Sequence, residues 1–146
     1  MQNSIKSSAV SPTVKLRWNC FEVSVEMGDI TQVHTDMILT TCDPIISCTN
    51  GVAKAIVEKG GERLQDAIDS RMVNEVRLHF GDVLVLNAES LNAWCVAFVC
   101  PSRGSFRDLK EAYYNALKEA MYLGAKTIAM PGFGTGPFML IYSCYK

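Results

Sequence analysis

No apolar stretch in this chain approaches the about 20 residues needed to cross a membrane, and the Ser-rich start from Met1 to Pro12 has no apolar core of a secretory signal. Neither sign of charge dominates: 14 Lys and Arg face 15 Asp and Glu, for a net charge of −1. Without a global positive field or a Lys/Arg cluster, no nucleic acid or membrane partner is expected. An anion would have to be held locally, by backbone amides or a few side chains. Histidine is scarce: His34 and His79 stand alone in polar surroundings and are expected at the surface. The six cysteines (Cys20, Cys42, Cys48, Cys95, Cys100, Cys144) form no C-x-x-C pair and no His/Cys group of metal-ligand spacing. Several lie in apolar runs such as Trp94–Cys100, where a free thiol acts as a small hydrophobe. No metal or cofactor is expected, and the expected setting is reducing, nuclear or cytoplasmic. Ser90 has no G-x-S-x-G context, so no serine nucleophile is expected.

What is present suits one globular domain. Of the 146 residues, 49% are hydrophobic and 20% charged, enough for a core and too apolar for a disordered chain. Residues 1–15 read as a flexible leader and 16–146 as the domain. Phe21, Val23, Val25 and Met27 alternate as in a strand that stops at Gly28-Asp29. Met37–Thr41 is a second strand, ended by Cys42-Asp43-Pro44. A helix opens at Asn50-Gly51, with Val52, Ala53, Ile56 and Val57 on one face, and stops at Gly60-Gly61. Leu64, Ala67 and Ile68 mark another helix. Val83–Leu86 and Trp94–Cys100 are apolar runs of strand length. Ser105-Phe106-Arg107-Asp108 resembles a capping box opening a helix that turns Leu109, Ala112, Tyr113, Ala116, Leu117, Ala120 and Met121 to one side as far as Gly124. Thr127–Met130 is a last strand. Apolar strands alternating with amphipathic helices predict an α/β fold: three layers, α/β/α, around a mixed, mostly parallel sheet.

Ligands in such sheets bind outside the carboxyl ends of the strands, and two loops fall there. Pro131-Gly132-Phe133-Gly134-Thr135-Gly136-Pro137-Phe138 follows a strand and carries three alternating glycines, whose backbone can approach an anion closely. It lacks the Walker lysine and the full G-x-G-x-x-G spacing. The other loop, Cys42 to Gly51, precedes a helix whose first amides and positive dipole end favour phosphate.

In this order the pieces resemble the macrodomain, an α/β module that recognises ADP-ribose. Gly28-Asp29-Ile30-Thr31 is similar to its opening G-D-I-T, and Asp36-Met37-Ile38-Leu39 to its D-x-I-V strand. Thr49-Asn50-Gly51-Val52-Ala53-Lys54-Ala55-Ile56 is similar to its G-G-G-V-A-x-A-I, and Leu91–Pro101 to the strand ending in V-G-P. Ile128–Gly136 is similar to I-A-x-P-A-I-G-T-G. The match runs from about Phe21 to Phe138 and is nearest to macrodomains of vertebrate ADP-ribosyltransferases.

The resemblance implies that Asp29 accepts the adenine amine, with Ile30 beside it, and that Asn50, Gly51, Val52 and Ala53 form one side of a diphosphate cradle. Gly134, Thr135, Gly136 and Phe138 form the other side, Phe138 packing on the distal ribose. Two bland readings stand beside these: Asp29 as a turn cap and Phe138 as a core aromatic.

Several departures bear on activity. The family's N-A-A-N reads Thr40-Thr41-Cys42-Asp43, so Asp43 replaces an asparagine that contacts the ribose and positions water. Two loop glycines are Thr49 and Asn50, an aspartate common in hydrolysing members is Ala53, and the strand histidine is Ala97. Only ten residues follow Gly136, so the usual last helix and strand are expected to be missing. The expectation is a binding module for free or protein-linked ADP-ribose, with no catalytic residue assigned. The alternatives are an ADP-ribosyl hydrolase and a degenerate module that serves only as an interaction surface.

Overall fold

The computed structural model describes residues 14–19, 21–73, 77–101 and 105–132. Within them the order is β1 (Val14–Trp18), β2 (Phe21–Val25), a single 3-10 turn (Ile30–Gln32), β3 (Met37–Thr41), α1 (Gly51–Gly60), α2 (Glu62–Val73), β4 (Val83–Asn87), β5 (Cys95–Val99), α3 (Phe106–Tyr122) and β6 (Ile128–Ala129).

Four strands form the central sheet in the order β4-β5-β3-β6. β3 runs parallel to both β5 and β6, in register Leu39↔Ala97 and Ile38↔Ala129, whereas β4 is antiparallel to β5. Side chains alternate across β3 and β5 and build two cores. On one face Ile38, Val96 and Phe98 pack with Ile56, Val57, Leu64 and Ile68 of α1 and α2. On the other, Met37, Leu39, Ala97 and Val99 meet Leu109, Ala112, Ala116 and Ala120 of α3. The mixed, mostly parallel three-layer α/β/α architecture is therefore as the sequence predicts.

Local signals explain the helix boundaries. The Ser105 hydroxyl accepts from the Asp108 amide at 3.2 Å and caps α3, as its spacing predicts. At the other end Gly124 takes φ of +76°. The buried stripe of α3 is narrower than the sequence suggests: Leu117 and Met121 are 39% and 76% exposed, so Leu109 and three alanines make the helix–sheet contact.

β1 is the element the sequence reading did not resolve, and it begins at Val14 inside the expected leader. It pairs antiparallel with β2 in register Leu16↔Val23. Val14, Leu16, Phe21, Val23 and Val25 share one exposed face. Exposed ion pairs of Lys15 and Arg17 with Glu22, each 3.5 Å, lie on the other face and contribute little.

Candidate functional site

The carboxyl ends of β3, β5 and β6 open at one edge of the sheet, and the segments leaving them carry the sequence-predicted site. After β3 comes the 42–50 loop, leading into α1. After β6 come Pro131 and Gly132, the entry to the second glycine loop. Gly134, Thr135, Gly136 and Phe138 lie outside the described residues.

α1 offers its amino end to this edge. Asn50 is its N-cap, extended at φ −151° and ψ 171°, but its side chain makes no capping hydrogen bond. Its carbonyl accepts from the Lys54 amide at 3.3 Å, the first turn of the helical ladder. The amides of Gly51, Val52 and Ala53 precede that bond and so have no intrahelical acceptor. Gly51 is exposed at φ +62°, with no heavy atom within 4 Å of where a Cβ would lie. No acidic residue occupies the first turn. Exposed amides, the helix dipole and the lack of a carboxylate in the first turn together favour an anion. Ala53 is buried and Val52 half-buried, so their side chains anchor the helix while their amides remain at its end.

Asp29 caps the 3-10 turn. Its Oδ1 accepts from the Thr31 amide at 2.9 Å and from the Thr31 hydroxyl at 2.8 Å. The hydroxyl in turn accepts from Gln32 Nε2 at 3.3 Å. These bonds, the Thr31 hydroxyl foremost, hold the Asp29 carboxyl below the usual carboxylate range, and the positive charge of Lys59 adds a smaller effect. The turn packs on α1, with Ile30 against the core of the α1/α2 face. Asp29 is thus a turn cap whose second oxygen takes no part in the capping bonds.

The 42–50 loop is held from within. Asp43 Oδ1 accepts from the Ser47 amide at 2.9 Å, and Oδ2 accepts from the Ser47 hydroxyl. The Ile46 amide returns to the Asp43 carbonyl at 3.0 Å, and the Leu78 amide ties Pro44 at 2.9 Å. Ile46 and Cys48 both take positive φ, 51° and 45°, a conformation that costs a non-glycine residue on the order of 1 kcal/mol or more. Burial of Ile46 in the core helps to hold it there. Asp43 therefore fastens its own loop, a role the sequence reading did not assign. The only local signal is a serine four residues on.

Cys42 and Cys100 follow the β3–β5 register by one residue, and their thiols influence each other. The neighbouring Cys100 thiol and burial push the Cys42 thiol up, while the interaction with Cys42 lowers the Cys100 thiol. Burial, reinforced by the charge of Asp43, pushes the Cys48 thiol up to about 11. Among the described residues no group of three His, Cys, Asp or Glu side chains could hold a metal ion. Both histidines are exposed, as expected.

Comparison with known proteins gives concordant results. The family model for the Macro domain matches residues 40–142. An uncharacterised protein of Pyrobaculum aerophilum is 37% identical over 120 residues, 80% of this chain and 66% of that protein. The chain thus spans just under two thirds of the length of that relative. An O-acetyl-ADP-ribose deacetylase of Enterobacter cloacae is 31% identical over 123 residues, 80% of this chain and 68% of its own. Among solved structures, the Oceanobacillus iheyensis macrodomain with ADP superposes with a TM-score of 0.81 at 21% identity. That match covers 89% of this chain and 73% of the other.

Proposed function

Because this chain belongs to the Macro domain family, we propose that it binds ADP-ribose, free or attached to protein. The observation that carries this reading is the pairing of two features on adjoining elements. The α1 amino terminus exposes amides without intrahelical acceptors, and the turn packed on α1 holds an ionised Asp29. The amides suit a diphosphate. Asp29, an acceptor only, suits the exocyclic amine of adenine and disfavours the carbonyl that guanine carries there. Ile30 lies beside that base, and Asn50, Gly51, Val52 and Ala53 form the near wall of the diphosphate site. Gly134, Thr135, Gly136 and Phe138, which lie outside the described residues, are assigned to the far wall by the family resemblance alone. ADP bound to a macrodomain of this fold supports the assignment.

Calorimetry with ADP-ribose tests it. Heat of binding is expected for the native chain and none for Asp29→Ala. A folded native chain that gives no heat overturns the reading.

A second reading, hydrolysis, is favoured by the deacetylase name of one relative. Its chemistry needs a positioned water and a group to orient it. Asp43 is the nearest counterpart of the family's asparagine, and both of its oxygens are engaged by Ser47. That engagement places recognition ahead of hydrolysis. Release of acetate from O-acetyl-ADP-ribose, or of ADP-ribose from modified protein, at a rate lost in Asp43→Ala would reverse the order.

A further inference from the structure

We propose that Thr31 is the positioning residue for base recognition: its hydroxyl and amide together fix one oxygen of Asp29, so that the other faces the exocyclic amine of the purine. The inference rests on the ADP-ribose reading above.

Thr31 is one of only two buried polar residues among those described, 6% exposed in a turn whose neighbours Asp29 and Gln32 lie at the surface. A buried hydroxyl needs a partner, and this one has two. Its single proton goes to Asp29 Oδ1 at 2.8 Å, and it accepts from Gln32 Nε2 at 3.3 Å. The Thr31 amide adds a second bond to the same oxygen at 2.9 Å. Capping the turn requires only the amide. The hydroxyl bond is therefore surplus to the fold of the turn, and its effect falls on the carboxylate.

Two donors converging on Oδ1 set both the side-chain torsion and the plane of the carboxylate. Oδ2 takes no part in the two Thr31 bonds, and the Gln32 side chain, itself bonded to the Thr31 hydroxyl, acts on the carboxylate more weakly than Thr31 does. Threonine suits this task because its β-branch restricts χ1, so the hydroxyl is held in place by its own backbone and by burial of its methyl group. The hydroxyl also favours the ionised form of Asp29. A carboxylate held ionised and oriented accepts from an amine and repels a carbonyl. Thr31 thereby sharpens discrimination at position 6 of the base without touching the ligand.

The experiment compares ADP-ribose with its hypoxanthine analogue, inosine diphosphate ribose, by calorimetry across pH. In the native chain adenine is expected to be preferred by at least about tenfold, the scale of a hydrogen bond to a charged group. Thr31→Val keeps the volume and the amide bond but removes the hydroxyl. It is expected to narrow the preference by about tenfold and to move the acid limit of ADP-ribose binding to higher pH, because the carboxyl loses its main stabilising donor. Thr31→Ser is expected to restore both. Titration of the adenine ring is common to all variants, and Lys59, the other charge acting on Asp29, is unchanged in each. A general loosening of the fold would weaken both ligands equally and leave the acid limit in place. If Thr31→Val does not melt cooperatively, Thr31→Cys, a weak donor of similar size, carries the same comparison.

An unchanged preference and acid limit in a folded variant overturns the role of Thr31 while leaving the ADP-ribose reading intact, provided Asp29→Ala abolishes binding. Absence of binding by the native chain overturns both.

Discussion

Asp36 and Thr127 clasp each other across 91 positions of sequence. The Asp36 amide donates to the Thr127 hydroxyl at 2.9 Å, and the Thr127 amide donates to Asp36 Oδ2 at 3.0 Å. The Lys126 amide reaches the same oxygen at 2.7 Å. This clasp matters because β6 is only two residues long and pairs with β3 at just Ile128 and Ala129. It fixes where β6 begins, and so where Pro131 and Gly132 leave the sheet toward the second glycine loop.

Removing one side of the clasp is expected to loosen β6. Thr127→Val should lower the unfolding free energy by about 1 kcal/mol, seen in chemical denaturation, and speed amide exchange at Ile128 and Ala129. Asp36→Asn should destabilise in a pH-dependent way. Chiefly the Lys126 amide holds the Asp36 carboxyl below its ordinary value. Its stabilisation is therefore complete above the ordinary carboxylate range and is lost as pH falls through the lowered folded value. The stability gap between native chain and Asp36→Asn should be largest at neutral pH and close in acid. A gap that widens in acid would contradict the clasp.

Such clasps were not legible in the sequence, whereas much of the frame was. The start of α3 could be read because Ser105 and Asp108 act within one turn, and β3 and β5 because their apolar runs are uninterrupted. β1 was missed although Val14-Lys15-Leu16-Arg17-Trp18 alternates apolar and polar, because its start was assigned to the leader; its pairing with Phe21–Val25 shows the strand. Leu117 and Met121 were placed on the buried face by periodicity alone, yet the sheet is met by Leu109, Ala112, Ala116 and Ala120. At the site, Asp29 was singled out through the family resemblance and the amino end of α1 through its Asn50-Gly51 start; the structure shows the first as a turn cap and the second as a helix amino terminus. Thr31 and Ser47 were missed because each acts through a carboxylate rather than on a ligand. The positive φ of Ile46 could not be foreseen either, since nothing in an isoleucine signals it.

Asp43 offers a separable test of charge and loop geometry. Asp43→Asn keeps a side-chain oxygen able to accept from the Ser47 amide, so the loop should hold. The substitution removes a negative charge from the loop leading to the proposed diphosphate site. ADP-ribose is expected to bind more tightly by about 1 kcal/mol, some fivefold, at low ionic strength. The gain should fade as salt screens it. Calorimetry at two salt concentrations decides: weaker binding at both would mean that the carboxylate itself contacts the ligand.

The same substitution should register at Cys48. Its thiol is raised to about 11, first by burial and then by the charge of Asp43. Alkylation by iodoacetamide should be slow at neutral pH and climb toward about pH 11, because the thiolate is the reacting form. In Asp43→Asn the profile should move to lower pH while remaining above that of an unburied thiol. Mass spectrometry resolved to the Cys48 peptide distinguishes this from reaction at Cys42, whose thiol is also raised. An unchanged profile would assign the whole shift to burial.

Two glycines of α1 are expected to fail for opposite reasons when changed to alanine. At Gly60 an added Cβ meets the fully buried Leu64, whose own Cβ lies 3.1 Å away, so packing must shift. Gly60→Ala should therefore lower stability with little direct effect on the amides at the other end of the helix. At Gly51 there is open space, but φ is +62°. There the backbone alone sets the cost, about 1 kcal/mol. The new methyl group would stand in the space from which an anion approaches the first amides of α1. Gly51→Ala should accordingly cost little in thermal stability and much in ADP-ribose affinity, about tenfold or more if one amide contact is lost. Gly51→Asn, which tolerates the left-handed conformation better, should recover stability but not affinity. If Gly51→Asn binds as well as the native chain, the amino end of α1 is not where the diphosphate sits.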